Sequence, residues 1–481
     1  MSKILMLSSE GAPYAKSGGL GDVLGALPQA LATMGHDVRV MLPLYASIDT
    51  KHKEEMQFLF YIYVPLGWRN KYCGVFSLKK NGVTYYFLDN EYYFGGPELY
   101  RWDDLERFAF FDKAALEVLP KLDYKPDILH LNDWQTGMVP VILKAYYEKN
   151  NFYQGIKSVF TIHNLKYQGR YSKDAVADFF SLDQSYFTDD KLEFYNDANL
   201  MKAGIVYADL VTTVSPTYAE EIKTPLGGEG LDGLLRAREN DLFGILNGID
   251  TFEYNPRFDK YIEKQYSISD FQKGKRENKT ALQKQLGLLP DAEKPMIGLV
   301  SRLVGQKGLD IIRYARDELS QFDVQLVILG TGEEEYENMF RRLAWENSDK
   351  ISANICFDNR LAHQIYAASD IFLMPSLFEP CGLGQLIAMA YGSVPLVRET
   401  GGLKDTVRPY NEFTGEGNGF SFAPPDAQDF LYTLRRALHF YSDKKVWSGL
   451  VKNAMAQDFS WNESAKMYDR IYKKLMGGFD E

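Results

Sequence analysis

A glycine-rich stretch near the N-terminus has the features of an anion-binding turn. Gly18 and Gly19 lie between a short apolar run and a segment with helical apolar spacing, so they should expose backbone N–H groups at a helix N-terminus. Lys16 adds a positive charge just before the glycines, and Asp22 adds an acceptor for hydroxyl groups. An ordinary strand-to-helix loop can also contain glycines, but the lysine favours a phosphate or sugar-phosphate site.

A second cationic turn lies in the C-terminal half of the chain. Arg302 stands at the end of a predicted strand, and Lys307 follows in the next loop beside Gly308. Arginine offers paired planar donors and lysine offers a point charge, and together these suit a diphosphate. Exposed surface cations would look similar, but the position at a strand end favours the phosphate interpretation.

Two further loops of this half could contact a ligand. Glu379 also follows a predicted strand, and it could accept hydrogen bonds from sugar hydroxyls or balance a developing positive charge. The neighbouring Cys381 is expected to pack against other side chains. Gly401 and Gly402 open another predicted helix, which gives backbone N–H groups a second place to meet an anion.

The elements that position these residues are predicted to form parallel sheets. In the first half of the chain, apolar runs alternate with helical segments, which is typical of a parallel sheet with crossover helices. Ligands of such sheets bind beyond the carboxyl ends of the strands. Polar residues at these predicted ends should therefore converge on one edge of the sheet: Glu10, Lys16, Asp133, His163 and Asn247.

The same alternation predicts the limits of the elements and a second sheet. Predicted strands of the first half are residues 4–7, 36–43, 127–134, 158–164, 208–215 and 243–248, with a helix from about residue 136. Those of the second half are residues 296–302, 324–332, 371–376 and 394–398, followed by helices at 426–457 and 460–476. The polar residues 249–294 are interpreted as the connection, helical around 273–286. Two such sheets imply a cleft between them, a usual place for a ligand.

Residues 58–111 break the alternation with a dense set of aromatic side chains. Strand-like runs flank a turn signal at residues 80–82, which predicts a β-hairpin insertion. The rings could form the core of this insertion. They could also form a platform for carbohydrate, because sugar C–H faces stack on aromatic rings, and both interpretations can hold for different residues.

Length and composition limit the classes of function. The 481 residues favour two domains, and a net charge of -11 without lysine or arginine runs argues against binding nucleic acid. The three cysteines form neither a disulfide framework nor a metal-ligand spacing, which suits a reducing cytoplasm. No apolar run is long enough for a signal peptide or a membrane span. A cytoplasmic protein without a membrane partner is expected.

Two missing motifs narrow the chemistry further. The chain has no Asp-x-Asp pair, which holds a divalent ion against a nucleotide diphosphate in some transferases, and the available cations make a metal unnecessary. Gly19 and Gly21 also fail the dinucleotide fingerprint, because the third glycine should stand at position 24, which is Leu24. A nicotinamide enzyme is therefore disfavoured.

Motifs along nearly the whole chain resemble, in order, those of bacterial glycogen synthases and plant starch synthases. The first is residues 16–23, and the compact length matches the bacterial form. The others are residues 132–134, 161–164, 247–250, 301–308, 379–383 and 400–405. The resemblance covers the chain from end to end, which makes it far more specific than any single motif.

The resemblance implies the GT-B fold, an α/β fold in which two Rossmann-like parallel-sheet domains face a deep interdomain cleft. Residues 1–250 would form the acceptor-side domain, with the aromatic β insertion near 58–111. Residues 251–457 would form the domain that binds the nucleotide sugar, and residues 458–481 a C-terminal helix that crosses back to the first domain.

The resemblance also implies a reaction. Glucose would pass from ADP-glucose to the non-reducing 4-hydroxyl of an α-1,4-glucan, glycogen or a maltooligosaccharide, with retention of configuration and without a cofactor or metal. Retention ordinarily needs a carboxylate nucleophile, and neither Asp133 nor Glu379 is a clear one. The family instead points to front-face transfer, in which the departing diphosphate accepts the acceptor's proton.

Roles for single residues follow from the same resemblance. The expected catalytic residues are Lys16 near both the donor diphosphate and the transferred glucose, His163 on that glucose, Arg302 and Lys307 on the diphosphate, and Glu379 on the donor sugar. Further substrate contacts are expected at Gly18, Gly19, Asp22, Asp133, Asn247, Gly330, Tyr366 in the adenine pocket, Cys381, Gly382, Leu383, Thr400, Gly401 and Gly402. Related transferases often carry a second glutamate where this chain has Ile387, which leaves the ribose partner unassigned.

Two other functions stay open at this point. One is a GT-B transferase that uses UDP-glucose or a different acceptor. The other is a glucan-binding protein without catalysis that uses the aromatic residues 58–111, although Lys16, Arg302, Lys307 and Glu379 speak against it.

Overall fold

The computed structural model describes residues 1–477, which divide into two compact units. The first unit comprises Met1–Asn247 together with the chain from Trp461 onward, and the second comprises Gly248–Ser460. Of the predicted C-terminal segment 458–481, residues 478–481 lie outside the described residues.

The first unit is built on a nine-stranded sheet. The strands of this unit are β1 (Lys3–Leu7), β2 (Asp37–Pro43), β3 (Gln57–Leu66), β4 (Arg69–Lys80), β5 (Val83–Asp89), β6 (Ile128–Asn132), β7 (Lys157–Ile162), β8 (Arg170–Ser172), β9 (Glu193–Phe194), β10 (Asp197–Asn199), β11 (Leu210–Thr213) and β12 (Leu242–Gly244). The order in the main sheet is β12-β11-β7-β6-β1-β2-β5-β4-β3, and β8-β10-β9 form a separate small sheet.

Pairing is parallel from β12 to β5 and antiparallel in the β5-β4-β3 portion. The aromatic hairpin of β3 and β4 therefore continues the main sheet instead of forming a layer of its own. Strand β6 is buried at every residue, as a parallel sheet with helices on both faces requires.

The helices of the first unit are mostly short. They are α1 (Gly19–Thr33), α2 (Thr50–Glu54), α3 (Glu91–Phe94), α4 (Asp104–Glu117), α5 (Val139–Ile142), α6 (Lys173–Phe180), α7 (Leu200–Tyr207), α8 (Pro216–Glu221) and α9 (Asp232–Ala237). The helix predicted from residue 136 is interrupted: a 3-10 turn at Trp134–Thr136 precedes α5, and a π-helical turn at Leu143–Tyr147 follows it. Helix α4 begins inside the segment predicted to be strands.

The second unit has a six-stranded, fully parallel sheet. Its strands are β13 (Met296–Val300), β14 (Gln325–Leu329), β15 (Ile351–Asn354), β16 (Ile371–Met374), β17 (Val394–Arg398) and β18 (Phe420–Phe422), in the order β15-β14-β13-β16-β17-β18. Its helices are α10 (Phe271–Leu286), α11 (Leu309–Leu319), α12 (Glu334–Glu346), α13 (Asn359–Ala368), α14 (Gly384–Ala390), α15 (Gly401–Thr406), α16 (Ala427–Ser442) and α17 (Lys444–Met455).

The last described helix, α18 (Trp461–Leu475), packs against α1 and belongs to the first unit. Its attachment is polar as well as apolar: His130 Nδ1 and the hydroxyl of Tyr472 are 2.7 Å apart, and His36 Nε2 lies 3.1 Å from Asp469 Oδ1. Among the helices described for residues 1–477, none is long and apolar enough to cross a membrane.

In each main sheet, the first strand in the chain lies in the interior, and the later strands are added on one side of it and then on the other. The chain runs from β1 through β2 and β5 on one side and returns to β6 on the other, and it runs from β13 through β14 and β15 before returning to β16. Such a reversal opens a crevice at the carboxyl ends of the two central strands, where ligands of these folds bind. Functional residues are therefore expected after β1 and β6 in the first unit and after β13 and β16 in the second.

Candidate functional site

The loop after β1 is anchored by Glu10, a buried carboxylate that sequence reasoning placed at the sheet edge without giving it a role. Its Oε2 accepts hydrogen bonds from the backbone N–H of Ser17 at 2.5 Å and of Gly18 at 3.3 Å. Its Oε1 accepts from Ser17 Oγ at 2.6 Å and from the Tyr100 hydroxyl. The N–H of Gly18 is thus committed to Glu10, whereas the sequence predicted it to face an anion. Gly19 is exposed as the first residue of α1.

Lys16 folds back over this loop. Its Nζ lies 2.6 Å from Asp22 Oδ1, and the two side chains are 42% and 25% exposed. Gly21 makes room for it, because a Cβ there would lie 2.9 Å from Lys16 Cγ. Exposed ion pairs contribute little stability, so this lysine can exchange its partner for a ligand anion at low cost.

Asp133 joins the ends of β6 and β7. Its backbone adopts a φ of +56°, which is uncommon for a residue with a side chain. Its Oδ1 accepts hydrogen bonds from the backbone N–H of His163 at 2.7 Å and of Asn164 at 3.4 Å. The prediction that Asp133 and His163 converge at one sheet edge is therefore confirmed in geometry.

Burial shifts the pKa values of these two residues in opposite directions, and both shifts favour the neutral side chain. Burial, with a smaller contribution from Glu10, raises the pKa of Asp133 to about 7. Burial lowers the pKa of His163 to about 3, so this imidazole is neutral near pH 7.

The protonated nitrogen of His163 follows from its neighbour. Asn132 donates through Nδ2 to the carbonyl of Leu7 at 2.9 Å, which turns its Oδ1 toward His163 Nε2, 2.9 Å away. The ring proton is thus on Nε2, and Nδ1 is the acceptor that a ligand hydroxyl could use.

Asn247, the last residue of the first unit's main segment, is buried. Its Oδ1 has no hydrogen-bond partner among the described residues 1–477. A buried acceptor without a partner is costly, so this atom suits a donor brought by a ligand, such as a hydroxyl group.

In the second unit, the central feature is a lysine–carboxylate pair that spans the reversal point. Lys307, after β13, lies 2.6 Å through its Nζ from Oε2 of Glu379, after β16, and the side chains are only 16% and 9% exposed. Ser376 Oγ donates to the same oxygen at 2.9 Å. Two groups, one from each loop, thus meet at one carboxylate oxygen.

Backbone contacts hold these two loops together. The N–H of Leu377 donates to the carbonyl of Gln306 at 2.9 Å. Gly308 has a φ of +67°, and a Cβ there would lie 1.9 Å from the carbonyl oxygen of Pro375. A side chain at Gly308 would therefore force the loop of Lys307 away from that of Glu379. Arg302, at the end of the same strand, is exposed.

The glycine pair predicted to meet an anion packs against the Glu379 loop. The N–H of Gly402 donates to the carbonyls of Glu379 at 3.2 Å and Pro380 at 3.1 Å. A Cβ at Gly401, which has a φ of +42°, would lie 2.1 Å from the carbonyl oxygen of Glu379. Thr400, just before the pair, is buried.

The residues after Glu379 form the turn into α14. Gly382 has a φ of +71°, and Leu383 is partly exposed. Cys381 is buried, as its residue type suggested, and its carbonyl accepts from Gln385 Nε2 at 3.0 Å.

Two aromatic residues of the second unit differ in their suitability for stacking on a base, and the predicted adenine contact is the buried one. Tyr366 is buried in the core of the second unit, with its ring centroid 4.9 Å from that of Phe372. Phe357, which sequence reasoning missed, follows β15 at the carboxyl edge and is 92% exposed. Because β15 was not predicted, nothing in the sequence pattern marked Phe357 as a strand-end residue.

Gly330 follows β14 at the same edge. A Cβ there would lie 1.9 Å from the carbonyl oxygen of Ser301, so the position requires a residue without a side chain. Within the described residues, no group of three or more histidine, cysteine, aspartate or glutamate side chains could hold a metal ion.

Two parallel-sheet domains with cations and polar groups at their reversal points define a GT-B glycosyltransferase, and comparisons with known proteins agree. Residues 3–237 match the starch synthase catalytic domain, and residues 283–449 match the glycosyl transferases group 1. The chain is 56% identical to a glycogen synthase of Lachnospira eligens over 99% of this chain and 100% of that one. It is 54% identical to a glycogen synthase of Desulforamulus reducens, over 98% and 99%.

Solved structures of glycosyltransferases are also similar to this chain. The catalytic domain of starch synthase IV from Arabidopsis thaliana, bound to ADP and acarbose, superposes with a TM-score of 0.92 at 36% identity over 99% of both chains. A sucrose-phosphate synthase of Thermosynechococcus elongatus, 19% identical with a TM-score of 0.62, shares the fold. The chain belongs to the family of bacterial glycogen synthases and plant starch synthases.

Proposed function

We propose that this glycosyltransferase moves glucose from ADP-glucose to the non-reducing 4-hydroxyl of an α-1,4-glucan, with retention of configuration. The observation that carries the proposal is the Lys307–Glu379 pair at the reversal point of the second unit, with the exposed Arg302 beside it. The two cations suit a diphosphate, and the carboxylate suits the hydroxyls of the donor sugar.

The choice of nucleotide rests on a relative, and one exposed ring could hold its base. The structure of starch synthase IV contains ADP, which supports ADP-glucose as the donor. Phe357 is better suited than the buried Tyr366 to stack on a base, because a stacking platform must have an open face. We therefore reassign the predicted adenine contact from Tyr366 to Phe357.

The surroundings of the two candidate carboxylates support transfer without a covalent intermediate. Glu379 is held by Lys307 and Ser376, which lowers its reactivity as a nucleophile. Asp133 accepts hydrogen bonds from two backbone N–H groups, and burial raises its pKa to about 7, which favours the protonated form and weakens it as a nucleophile.

In the proposed step, the bond between the anomeric carbon and the diphosphate oxygen breaks as the acceptor's 4-oxygen bonds to that carbon from the same face. The acceptor's proton passes to the departing diphosphate oxygen, so no external base is consumed. Arg302 and Lys307 stabilise the negative charge that develops on the diphosphate, which is electrostatic catalysis by preorganised cations. A metal ion is not required for this stabilisation.

The first unit would act on the sugars. Neutral His163 can accept a glucose hydroxyl through Nδ1, and Asp133 can orient a sugar hydroxyl through its second oxygen. Lys16 is the mobile cation, able to leave Asp22 for the donor diphosphate. Asn247 offers its unpaired Oδ1 to a further hydroxyl.

The cytoplasm is the proposed location. The three cysteines are free thiols, two of them buried, which is the state expected in a reducing compartment.

A side-by-side donor assay tests the proposal. Purified protein is incubated with glycogen and either ADP-glucose or UDP-glucose, and release of the nucleoside diphosphate is coupled to a spectrophotometric readout. We expect ADP release that depends on glycogen and a much slower reaction with UDP-glucose.

Other outcomes would point to the other functions. Faster release from UDP-glucose would indicate a GT-B transferase with a different donor. Binding of glycogen without release of either diphosphate would indicate a glucan-binding protein without catalysis.

A further inference from the structure

A closed loop comes immediately before Lys16 in the chain. The N–H of Gly11 donates to the carbonyl of Ala15 at 2.8 Å, and the N–H of Ala15 donates back to the carbonyl of Gly11 at 3.0 Å. The N–H of Tyr14 donates to the same Gly11 carbonyl at 3.0 Å. These bonds close residues 11–15 into a loop whose last residue is joined directly to Lys16.

A further contact ties this loop to helix α1. The N–H of Ala12 donates to the carbonyl of Gly21 at 2.9 Å. Gly25 allows the close approach, because a Cβ there would lie 3.0 Å from the Cβ of Ala12. The loop therefore packs on the helix that carries Asp22, the partner of Lys16.

The ring of Tyr14 is the apolar anchor of the loop and is only 4% exposed. Its centroid lies 5.1 Å from that of Tyr85 and 5.0 Å from that of Phe87, both on β5. The imidazole of His52, on α2, is 5.3 Å away between centroids. All three contacts have edge-to-face geometry, which is favourable for aromatic pairs and directional. The ring therefore holds the loop in both place and orientation.

The hydroxyl of Tyr14 adds nothing to this anchor. It is buried, and within residues 1–477 it has no hydrogen-bond partner. A buried donor without a partner is costly. The position therefore needs the ring of Tyr14 and gains no stability from its hydroxyl group.

Glu10 holds the chain on the other side of Lys16, because its carboxylate accepts from the N–H groups of Ser17 and Gly18. The backbone of Lys16 thus lies between two anchored segments, whereas its side chain is 42% exposed. A lysine held in this way can exchange Asp22 for another anion by rotating its own side-chain bonds, without any movement of the loop.

We propose that Tyr14 is a positioning residue that fixes the backbone of Lys16, so that this lysine reaches the donor diphosphate by side-chain rotation alone. The inference rests on the proposed function, in which Lys16 serves the diphosphate during transfer. Misplacement of a catalytic group by about 1 Å can cost about 10² in rate, so loss of the anchor should slow the chemical step. ADP binding should change little, because Arg302 and Lys307 are the cations assigned to the bound diphosphate.

The test is Tyr14→Leu, which keeps an apolar side chain but removes the three ring contacts. Single-turnover transfer from ADP-glucose to glycogen should slow on the order of tenfold. The Kd of ADP, measured by calorimetry, should stay within about threefold of wild type. Tyr14→Phe keeps the ring and removes the unpaired hydroxyl, so it should transfer glucose at the wild-type rate and unfold at no lower urea concentration.

A double-mutant cycle with Lys16 separates positioning from general packing. If Tyr14 acts through Lys16, adding Tyr14→Leu to Lys16→Ala should slow transfer by no more than about twofold beyond Lys16→Ala alone. A further loss of about tenfold in that background would overturn the proposal, because the tyrosine would then act without the lysine.

Tyr153→Leu is the matched control, because this tyrosine is also 4% exposed but precedes β7, at the amino edge of the same sheet. Its hydroxyl donates to the carbonyl of Leu116 at 3.0 Å, so the variant should lower the urea midpoint at least as much as Tyr14→Leu does. Its transfer rate should stay near that of the wild type. An equal loss of transfer in this control would overturn the proposal.

Two other results would also overturn it: unchanged transfer in folded Tyr14→Leu, and a loss of transfer in Tyr14→Phe. If circular dichroism shows that Tyr14→Leu does not fold, Tyr14→Met replaces it with the same expected results, because methionine fills irregular space. Faster transfer from UDP-glucose would change the proposed donor, and the same cycle with that donor would still decide the role of Tyr14.

Amide hydrogen exchange of the peptides that cover residues 8–18 reports the loop without any need for catalysis. Tyr14→Leu should speed this exchange, whereas Tyr14→Phe and Tyr153→Leu should not. If the wild type transferred glucose from neither donor, the proposed function would fail, and unchanged exchange in Tyr14→Leu would still refute the anchoring of the loop.

Discussion

The two units each have a lysine paired with a carboxylate at the carboxyl edge of their sheet, and the two pairs differ in span and exposure. Lys16 and Asp22 belong to one strand–loop–helix turn, and both side chains are partly exposed. Lys307 and Glu379 come from strands on either side of a reversal point, and both are largely shielded from water. The same chemical pair is therefore built locally in one unit and across the sheet in the other.

The difference in exposure between the two pairs implies that Lys16 can change its partner, whereas Lys307 is held in place. An exposed pair contributes about 0–1 kcal/mol, so Lys16 can leave Asp22 readily. Removing one partner of a buried pair costs about 3–5 kcal/mol, because the other charge loses its compensation. We infer that Lys307 is preorganised for the diphosphate, whereas Lys16 changes partner during the reaction over the rigid base that Glu10 provides.

The largest expected effect comes from Lys307→Ala. Turnover should fall on the order of 10²–10³-fold, as when a preorganised donor to a developing charge is removed, and unfolding free energy should fall by about 3 kcal/mol because Glu379 is left unpaired. Steady-state kinetics and urea unfolding measure both quantities.

The control for this variant removes both charges. Lys307→Met with Glu379→Leu should regain most of the lost stability but none of the activity. A well-folded Lys307→Ala protein with near-normal turnover would exclude the proposed role.

Lys16→Ala should have a smaller effect on turnover, about one to two orders of magnitude, through loss of a single mobile cation. Its unfolding free energy should change by no more than about 0.5 kcal/mol, since the pair with Asp22 is exposed. A stability loss as large as that of Lys307→Ala would remove the distinction between the two pairs.

Glu10→Gln tests the rigid base under Lys16. Glutamine has one acceptor oxygen where glutamate has two, so its NH₂ group would face the N–H or hydroxyl of Ser17 and leave that donor without an acceptor. The unfolding free energy should therefore fall by about 2 kcal/mol. Turnover should fall only severalfold. Glu54→Gln, at an exposed glutamate of the same unit, is the matched control and should leave both quantities unchanged.

The last prediction concerns the pH dependence of stability and no change in turnover. The pKa of His163 is about 3 in the folded protein and about 6.5 in the unfolded chain, so the unfolded state binds more protons between these values and stability falls as pH drops below 6.5. From pH 7 to pH 5 this one residue should cost about 2 kcal/mol. His163→Gln should remove that share of the loss, as pH-dependent urea unfolding would reveal.

Other buried groups contribute to the pH dependence in the same window, and His163→Gln leaves their contributions in place. Burial raises the pKa of Asp133 to about 7, so the folded state gains stability from this residue as pH falls, which opposes the effect of His163. Burial also lowers the pKa of His130 to about 3, so His163→Gln should remove only part of the total acid destabilisation. An identical pH profile in wild type and variant would contradict the buried, neutral state of His163.

Much of the fold could be predicted from the sequence because parallel strands have a simple signature. Apolar runs followed by helical periodicity gave both sheets, and the GT-B class is confirmed. Short strands such as β15 were missed, and helix α4 fell inside a segment predicted as strands, because dense aromatics favour β-structure without excluding a helix.

The site could be predicted only in part. Strand-end residues such as Asp133 and His163 were found because topology dictates where strand ends meet. The partner of Lys307 was not found, because it stands 72 residues away in the chain and no local pattern encodes a contact across the reversal point. The packing role of Gly402 was not predicted: its N–H donates to the carbonyls of Glu379 and Pro380, and a sequence does not distinguish a glycine needed for such close packing from one at an anion site.

The most direct test of the account compares ADP affinity with glucose transfer in the two lysine variants. Calorimetry gives the Kd of ADP, and single-turnover transfer from ADP-glucose to glycogen gives the rate of the chemical step. We predict that Lys307→Ala loses both, whereas Lys16→Ala loses transfer with an ADP Kd within about threefold of wild type. A Lys16→Ala protein that loses ADP affinity as strongly as Lys307→Ala, or whose transfer rate is unchanged, would contradict the assignment of a fixed and a movable charge.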